Sequence, residues 1–95
     1  ALPIYLENGV TQSKAIKTLK SFYKKSDFVK ILRKDSLIST NDVINSNNCF
    51  ISICKSKYKD KIIILSAIDN LIKGGAGQAV QNLNMKFNFP VKTAL

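Results

Sequence analysis

The 95-residue sequence predicts an α+β domain in which a mixed, largely antiparallel sheet carries two helices. Three features lead there. Short apolar or alternating runs are bounded by turn residues, two other segments repeat their apolar residues at three and four positions, and a polar link from Ser56 to Asp60 joins two of the runs. A link that short can only make an antiparallel hairpin, so a purely parallel doubly wound sheet is excluded.

Leu2 to Leu6 reads as the first strand, closed by Glu7-Asn8-Gly9, where Asn and Gly tolerate positive φ. Thr11 is the expected N-cap of the first helix. In it Ala15, Ile16, Leu19, Phe22 and Tyr23 form an apolar face, while Lys14, Lys17, Lys20, Lys24 and Lys25 line the solvated one. Phe28 to Leu32 is a short strand, and Ser36 to Asn48, rich in Ser, Asn and Asp, is a loop. Cys49 to Lys55 alternates, and Lys61 to Ile68 contains the continuous run Ile62-Ile63-Ile64-Leu65, expected of a strand buried on both faces. The last helix is predicted from about Gly75 to Phe87, with Pro90 preventing its continuation.

Composition narrows the function. With 45% hydrophobic and 22% charged residues the chain is globular, not disordered. No apolar run approaches the roughly 20 residues that cross a bilayer, so a soluble protein without a membrane partner is expected. The start, ALPIYLENGV, lacks the pattern of a signal peptide and enters directly on a strand. It reads as a piece of a longer protein. A net charge of +9 invites a nucleic-acid partner. The distribution argues against one, because Arg33 is the sole arginine, the lysines are scattered, and no aromatic residues alternate with them to stack bases.

Cys49 and Cys54 lie in an alternating strand without His or a CxxC pair, as small hydrophobes of a reducing, cytoplasmic compartment. No metal site is expected from two thiolates. Nor is a Cys-His nucleophile pair, so Asn47-Asn48-Cys49-Phe50 is read as structural. Gly75-Ala76-Gly77-Gln78-Ala79-Val80 imitates the dinucleotide fingerprint GxGxxG and fails it. Asn70 to Gly74 intervene after the strand, Val80 takes the third glycine position, and the chain ends before an acidic residue could follow at the needed distance.

The segment from Asp69 to Asn84, DNLIKGGAGQAVQNLN, is more specific. Its Asp69, Asn70, Leu71, Lys73, Gly74, Ala76, Gly77, Gln78, Ala79, Gln81 and Asn84 resemble the pattern of N-acetyl-gamma-glutamyl-phosphate reductase, of the aspartate-semialdehyde dehydrogenase-like superfamily. Phe28-Val29, Asp42-Val43, Ser46-Asn47 and Ser66-Ala67-Ile68 fit the same order, so the resemblance spans essentially the whole chain. Two positions depart from it. Ile44-Asn45 stands where the family has a basic residue and glycine, and Asn88 replaces a glycine after the last helix.

The resemblance implies that residues 1–95 are a single fragment of a glyceraldehyde-3-phosphate dehydrogenase-like C-terminal catalytic and dimerisation domain. The Rossmann domain, the nucleophilic cysteine and the catalytic histidine would lie elsewhere. The full protein would reduce N-acetyl-gamma-glutamyl phosphate to the semialdehyde with NADPH, in arginine biosynthesis, as a homo-oligomer. No catalytic residue is assigned within this chain. Cofactor contacts are expected at Gly74, Gly75, Gln78 and Asn82, with the nicotinamide end of NADP meeting Gln78 or Asn82. Between Lys73 and Lys86 no charge occurs, so both sides of the last helix are expected to be covered: Ala76, Ala79, Val80, Leu83 and Phe87 on one, Gln78, Gln81, Asn82 and Met85 on the other, the alternative being a polar surface that happens to use amides. The three glycines are expected to leave free N–H groups open to an anion or carbonyl. The competing expectation is a small basic binding module without catalysis.

Overall fold

The computed structural model describes residues 1–95 and holds a four-stranded sheet in the order β1-β4-β3-β2. Strand β1 is Leu2–Tyr5, β2 Val29–Ile31, β3 Cys49–Lys55 and β4 Lys61–Ile68. Pairing of β4 with β1 and with β3 is antiparallel, and β2 runs parallel to β3. The expected α+β class and mixed, largely antiparallel sheet are therefore what the chain forms. The isoleucine-rich run is β4, hydrogen-bonded on both edges, but the burial expected on both faces is complete only at Ile62, with Ile63, Ile64 and Leu65 half-buried.

Alternation sorts the side chains. Ile4, Ile53, Ile62 and Ile64 point to the face that carries helix α1, Gln12–Phe22, since they share an apolar cleft with its Ala15 and Leu19. The helix packs on β2 and β3. That leaves the cleft, about 380 Å³, open over β1 and β4. Thr11 caps α1 as expected, its hydroxyl accepting from Lys14 N–H at 3.2 Å. Phe22 does not join the apolar face and is 77% exposed. At 100° per residue it lies roughly 70 to 80° from the direction shared by Gln12, Ala15, Ile16 and Leu19, at the rim of the stripe. Tyr23 instead receives it edge-on at 4.9 Å.

On the opposite face the β2–β3 connection returns over β3, where the Cys54 thiol meets the Ser36 carbonyl at 3.6 Å. Asp35 locks this crossover. Its backbone N–H donates to Ile53 O, and its carboxylate accepts from Lys55 N–H at 2.7 Å and from the Gln12 amide at 2.9 Å. One 3₁₀ turn, Thr40–Asp42, is embedded in what otherwise is the expected loop.

The last helix, α2, spans Gly77–Lys86 and begins two residues later than the sequence suggests. Residues Ile72–Ala76 form a π turn ahead of it, with a kink at Gly75. At its other end the chain closes in a Schellman motif: Phe89 N–H donates to Asn84 O at 2.8 Å and Asn88 N–H to Met85 O at 3.4 Å. Asn88 has φ 56°, the left-handed conformation for which a glycine would be the usual choice. Asn45, the other departure from the family pattern, also has φ 56°. Asn is the residue that enters this region most readily after glycine, so both loops keep the glycine geometry.

The dimensions are 44 × 25 × 18 Å and the radius of gyration is 15.0 Å. A compact domain of this length would have roughly 12 Å. The excess comes with few fully buried apolar residues, namely Phe28, Val43, Ile53 and Ile62.

The left-handed positions generate a stability prediction. Asn88→Gly should leave the thermal midpoint level or raise it, whereas Asn88→Val should cost about 1 to 2 kcal/mol, several degrees for a domain of this size. Differential scanning calorimetry reads both, and an unchanged midpoint for the valine variant would contradict the assignment.

Candidate functional site

The site is the segment that leaves β4 at Ile68 and enters α2, together with the Asn45–Asn48 loop it packs against. Asp69 organises it. One carboxylate oxygen accepts from Leu71 N–H at 2.9 Å and Ile72 N–H at 3.0 Å, and the other from Asn45 N–H at 2.9 Å. These bonds, that of Ile72 foremost, hold the carboxyl below its usual range. Asp69 is thus the N-cap of the whole π-turn and helix unit, and it staples that unit to the loop.

The expectation of open N–H groups is therefore corrected at Gly74 and Gly77. Gly74, Ala76 and Gly77 donate to the carbonyls of Asp69, Leu71 and Ile72, five residues back in each case, because the chain is already helical before α2 begins. The role given to Gly77 is corrected as well. It is buried, and a Cβ there would lie 2.7 Å from Ile72 Cγ2 and collide with Asn47 Oδ1, so this glycine admits the chain's own loop and no outside group.

The four residues singled out from sequence fall on one exposed or half-exposed stretch. At Gly74 a Cβ would come within 3.1 Å of Asn70 Oδ1, so the Asn70 side chain fills that space. Gly75 differs: a Cβ would meet only Asn70 O, at 3.5 Å, and its surface is open. Gln78 and Asn82, one turn apart, hydrogen-bond to each other at 2.8 Å on the outer side of the helix. Their amides still offer unused donors and acceptors.

The inner side of α2 is polar. Gly77 and Asn84 are its buried residues, with Val80 and Gln81 half-buried. Gln81 Oε1 accepts from Asn47 Nδ2 at 3.0 Å and from Lys73 Nζ at 2.7 Å, and the Lys73 ammonium also lies 5.3 Å from the centre of the Phe28 ring. Asn84 Nδ2 donates to the carbonyls of Val91 and Thr93, tying down the C-terminal turn. Asn47 is buried with its Oδ1 unpaired and turned to Gly77. Meanwhile Ala79, Leu83 and Phe87 are exposed, the last two at 50% and 59%. The two faces expected for this helix are not the ones the fold uses: Val80 from one and Gln81 from the other turn inward with Gly77 and Asn84, while Ala79, Leu83 and Phe87 of the first and Asn82 and Met85 of the second are exposed.

Sequence reasoning missed Asp69, Asn47, Gln81, Lys73 and Asn84 as structural determinants. Asp69 alone carried a local signal, an Asp directly before the helical pattern. The others act through partners distant in sequence. Both cysteines lie in β3 as expected, Cys49 Sγ at 3.5 Å from the Ser66 hydroxyl and Cys54 against Ser36, with no base beside either. No helix is long and apolar enough to cross a membrane.

Residues 1–70 match the family model described as semialdehyde dehydrogenase, dimerisation domain. The chain is 44% identical over 87 residues to a protein of Oryza sativa subsp. japonica named probable N-acetyl-gamma-glutamyl-phosphate reductase, chloroplastic, covering 92% of this chain and 21% of that protein. It is 44% identical over 90 residues to the N-acetyl-gamma-glutamyl-phosphate reductase of Desulforamulus reducens, covering 95% of this chain and 26% of the relative. A third such reductase, from Thermoanaerobacter pseudethanolicus, is 46% identical over 74 residues, 78% of this chain and 22% of its own length. The chain spans about a fifth to a quarter of the relatives it matches. An 87-residue match outruns the first 70 positions, so the similarity continues into the π turn and α2. The chain belongs to the semialdehyde dehydrogenase dimerisation-domain family, and the resemblance to N-acetyl-gamma-glutamyl-phosphate reductase read from its glycine helix holds.

Two predictions come from this site. Gly77→Ala should cost about 1 to 3 kcal/mol through overpacking against Ile72 and Asn47, read as a lowered urea midpoint, while Gly75→Ala should cost distinctly less. For Asp69 the folded pKa lies below the unfolded one, near 3.9. Its contribution is then complete above that value and is lost as pH falls through the folded pKa. Asp69→Asn should accordingly lower the unfolding midpoint at pH 7, and the gap to the parent should close toward pH 2. A gap that stays constant with pH would refute the carboxylate's role.

Proposed function

We propose, from this family membership, that the chain is a segment of the C-terminal catalytic and dimerisation domain of an NADPH-dependent N-acetyl-gamma-glutamyl-phosphate reductase. The observation that carries the reading is the 44% identity to named reductases over more than nine-tenths of the chain. In such an enzyme a thiolate displaces phosphate from the acyl phosphate, and bound NADPH supplies the hydride that converts the resulting thioester to the semialdehyde with release of the thiol. The chemistry needs a nucleophile and a base. This chain offers neither, having no His and two cysteines without a base beside them.

Its contribution is scaffold, subunit contact and one wall of the cofactor site. The wall is the surface of Gly74, Gly75, Gln78 and Asn82. Gly75 provides a place where a flat ring can approach the backbone, because only a Cβ would fill it. The Gln78 and Asn82 amides match the donor and acceptor of a carboxamide such as nicotinamide carries. The exposed Ala79, Leu83 and Phe87 beside them are the apolar area that a neighbouring domain would cover. A second copy would contact the sheet, whose face opposite α1 presents Ile63, Leu65 and Ala67.

The test is an assay of the intact protein for NADPH oxidation, run in the direction of acyl-phosphate reduction. Activity is expected there and none from the 95 residues alone. Gly75→Val and Asn82→Leu should each raise the KM for NADPH or lower kcat by about tenfold, the equivalent of one good hydrogen bond or contact, with the thermal midpoint little changed. Unaltered kinetics in both folded variants would reduce α2 to scaffold. Sedimentation of the intact protein at micromolar concentration should show a homo-oligomer.

A further inference from the structure

The β3–β4 hairpin sets Lys55, Lys57, Lys59 and Lys61 within one short stretch, against the single carboxylate of Asp60. Three of them, Lys55, Lys59 and Lys61, line a groove of about 320 Å³ between the hairpin and the start of α1, together with the hydroxyls of Thr11, Ser56 and Tyr58. No carboxylate lines it. The chain's ion pair, Lys92 with Asp27 at 3.3 Å, is made by residues outside it. The nearby Asp35 is already engaged by Lys55 N–H and Gln12, and the first turn of α1 brings no acidic residue. Lysines that line one groove without a carboxylate among its walls make a field that attracts an anion.

The donors are also held in place. Lys61 is half-buried, its ammonium 4.3 Å from the centre of the Tyr5 ring and 4.8 Å from that of Tyr58. Tyr5 strengthens its hold on its proton. The Ser56 hydroxyl accepts from Tyr58 N–H and the Thr11 hydroxyl from Lys14 N–H, which leaves both hydroxyl protons free to be donated. Leu6 N–H to Asp60 O at 2.7 Å ties the hairpin to the end of β1.

We propose that this groove is an anion-binding site for a small phosphate-bearing ligand, with Lys55, Lys59 and Lys61 supplying charge and Thr11 and Ser56 supplying hydroxyl donors. It lies at the opposite end of β4 from Asp69, some seven residues or about 23 Å away along the strand. The proposal does not depend on the reductase reading.

The test titrates inorganic phosphate into the intact protein at fixed ionic strength, with chloride as the balancing ion, and follows the unfolding midpoint and the heat of binding. Phosphate should stabilise the parent and the control Lys17→Ala/Lys24→Ala, which removes equal charge from α1 and the turn that follows it. In Lys59→Ala/Lys61→Ala affinity should fall about tenfold or more, in keeping with the loss of charge-assisted bonds. If that variant does not fold, Lys59→Gln carries the comparison. Equal weakening in groove and control variants would show general screening and overturn the site. So would undiminished binding in the groove variant, as a phosphate held anywhere else in the protein would give, or no phosphate effect on the parent.

Discussion

The carboxylate of Asp69 is the constraint on which the distal half of this structure depends. Three backbone N–H groups from two separate segments converge on it, those of Asn45, Leu71 and Ile72. A helix leaves its first N–H groups without partners, and here one side chain satisfies two of them while a third bond draws in the loop. The consequence reaches further than the cap. With the loop held, Asn47 lies against Gly77 and its amide reaches Gln81. Gly77 must then be a glycine, and α2 must present Gln81 and Asn84 to the domain. Asp35 does the same at the other end, where one carboxylate joins α1, β3 and the crossover. In a chain with few buried apolar residues, such fixed polar junctions specify geometry that packing alone leaves loose.

The inward turn of the amides explains why α2 carries no charge between Lys73 and Lys86. A lysine at position 81 could not accept from Asn47 Nδ2 and Lys73 Nζ as Gln81 does, and one at position 84 would bury a full charge where Asn84 buries a neutral amide. On the outer side the absence has a different cause. Leu83 and Phe87 are exposed in this chain although both are large and apolar, and the molecule is longer than a compact domain of its size. One helix thus joins two surfaces. Its inner one is closed by the domain, and its outer one is exposed.

Much of this fold was legible from the residues. The isoleucine run named the central strand, the five-residue polar link gave the hairpin, Thr11 marked the start of α1, and Pro90 bounded the last helix. Each signal is local. The orientation of α2 was not legible, because a hydrophobic period shows which residues share a side and is silent on which neighbour meets it. The helix start was missed for a related reason. Glycines suggest an open beginning, yet five-residue bonds through Gly74, Ala76 and Gly77 had already closed that part of the chain. Of the residues named for the candidate site, Gly75 and Asn82 are exposed and Gln78 bonds to Asn82, and the Asn47–Gln81–Lys73 contacts on the inner side of the helix had no trace in the sequence.

The two departures from the family pattern carry a last point about reading motifs. Judged by residue type, Asn45 and Asn88 break the pattern at positions where glycine is usual. By dihedral angle both adopt a conformation that suits glycine, since each has φ 56°. A left-handed residue without glycine's freedom costs least when its side chain is short and polar, and the surrounding bonds supply the remainder: Asn45 N–H reaches Asp69, and Asn88 N–H closes the Schellman turn. The property such a position must keep is therefore the sign of φ, and the glycine in the pattern is one of its solutions. Because Asn45 N–H is one of the three groups on Asp69, a β-branched residue there would disturb the capping of α2 as well as its own loop. The loop substitution and the helix it faces are thus one constraint, and the tolerance of the first is set by the needs of the second.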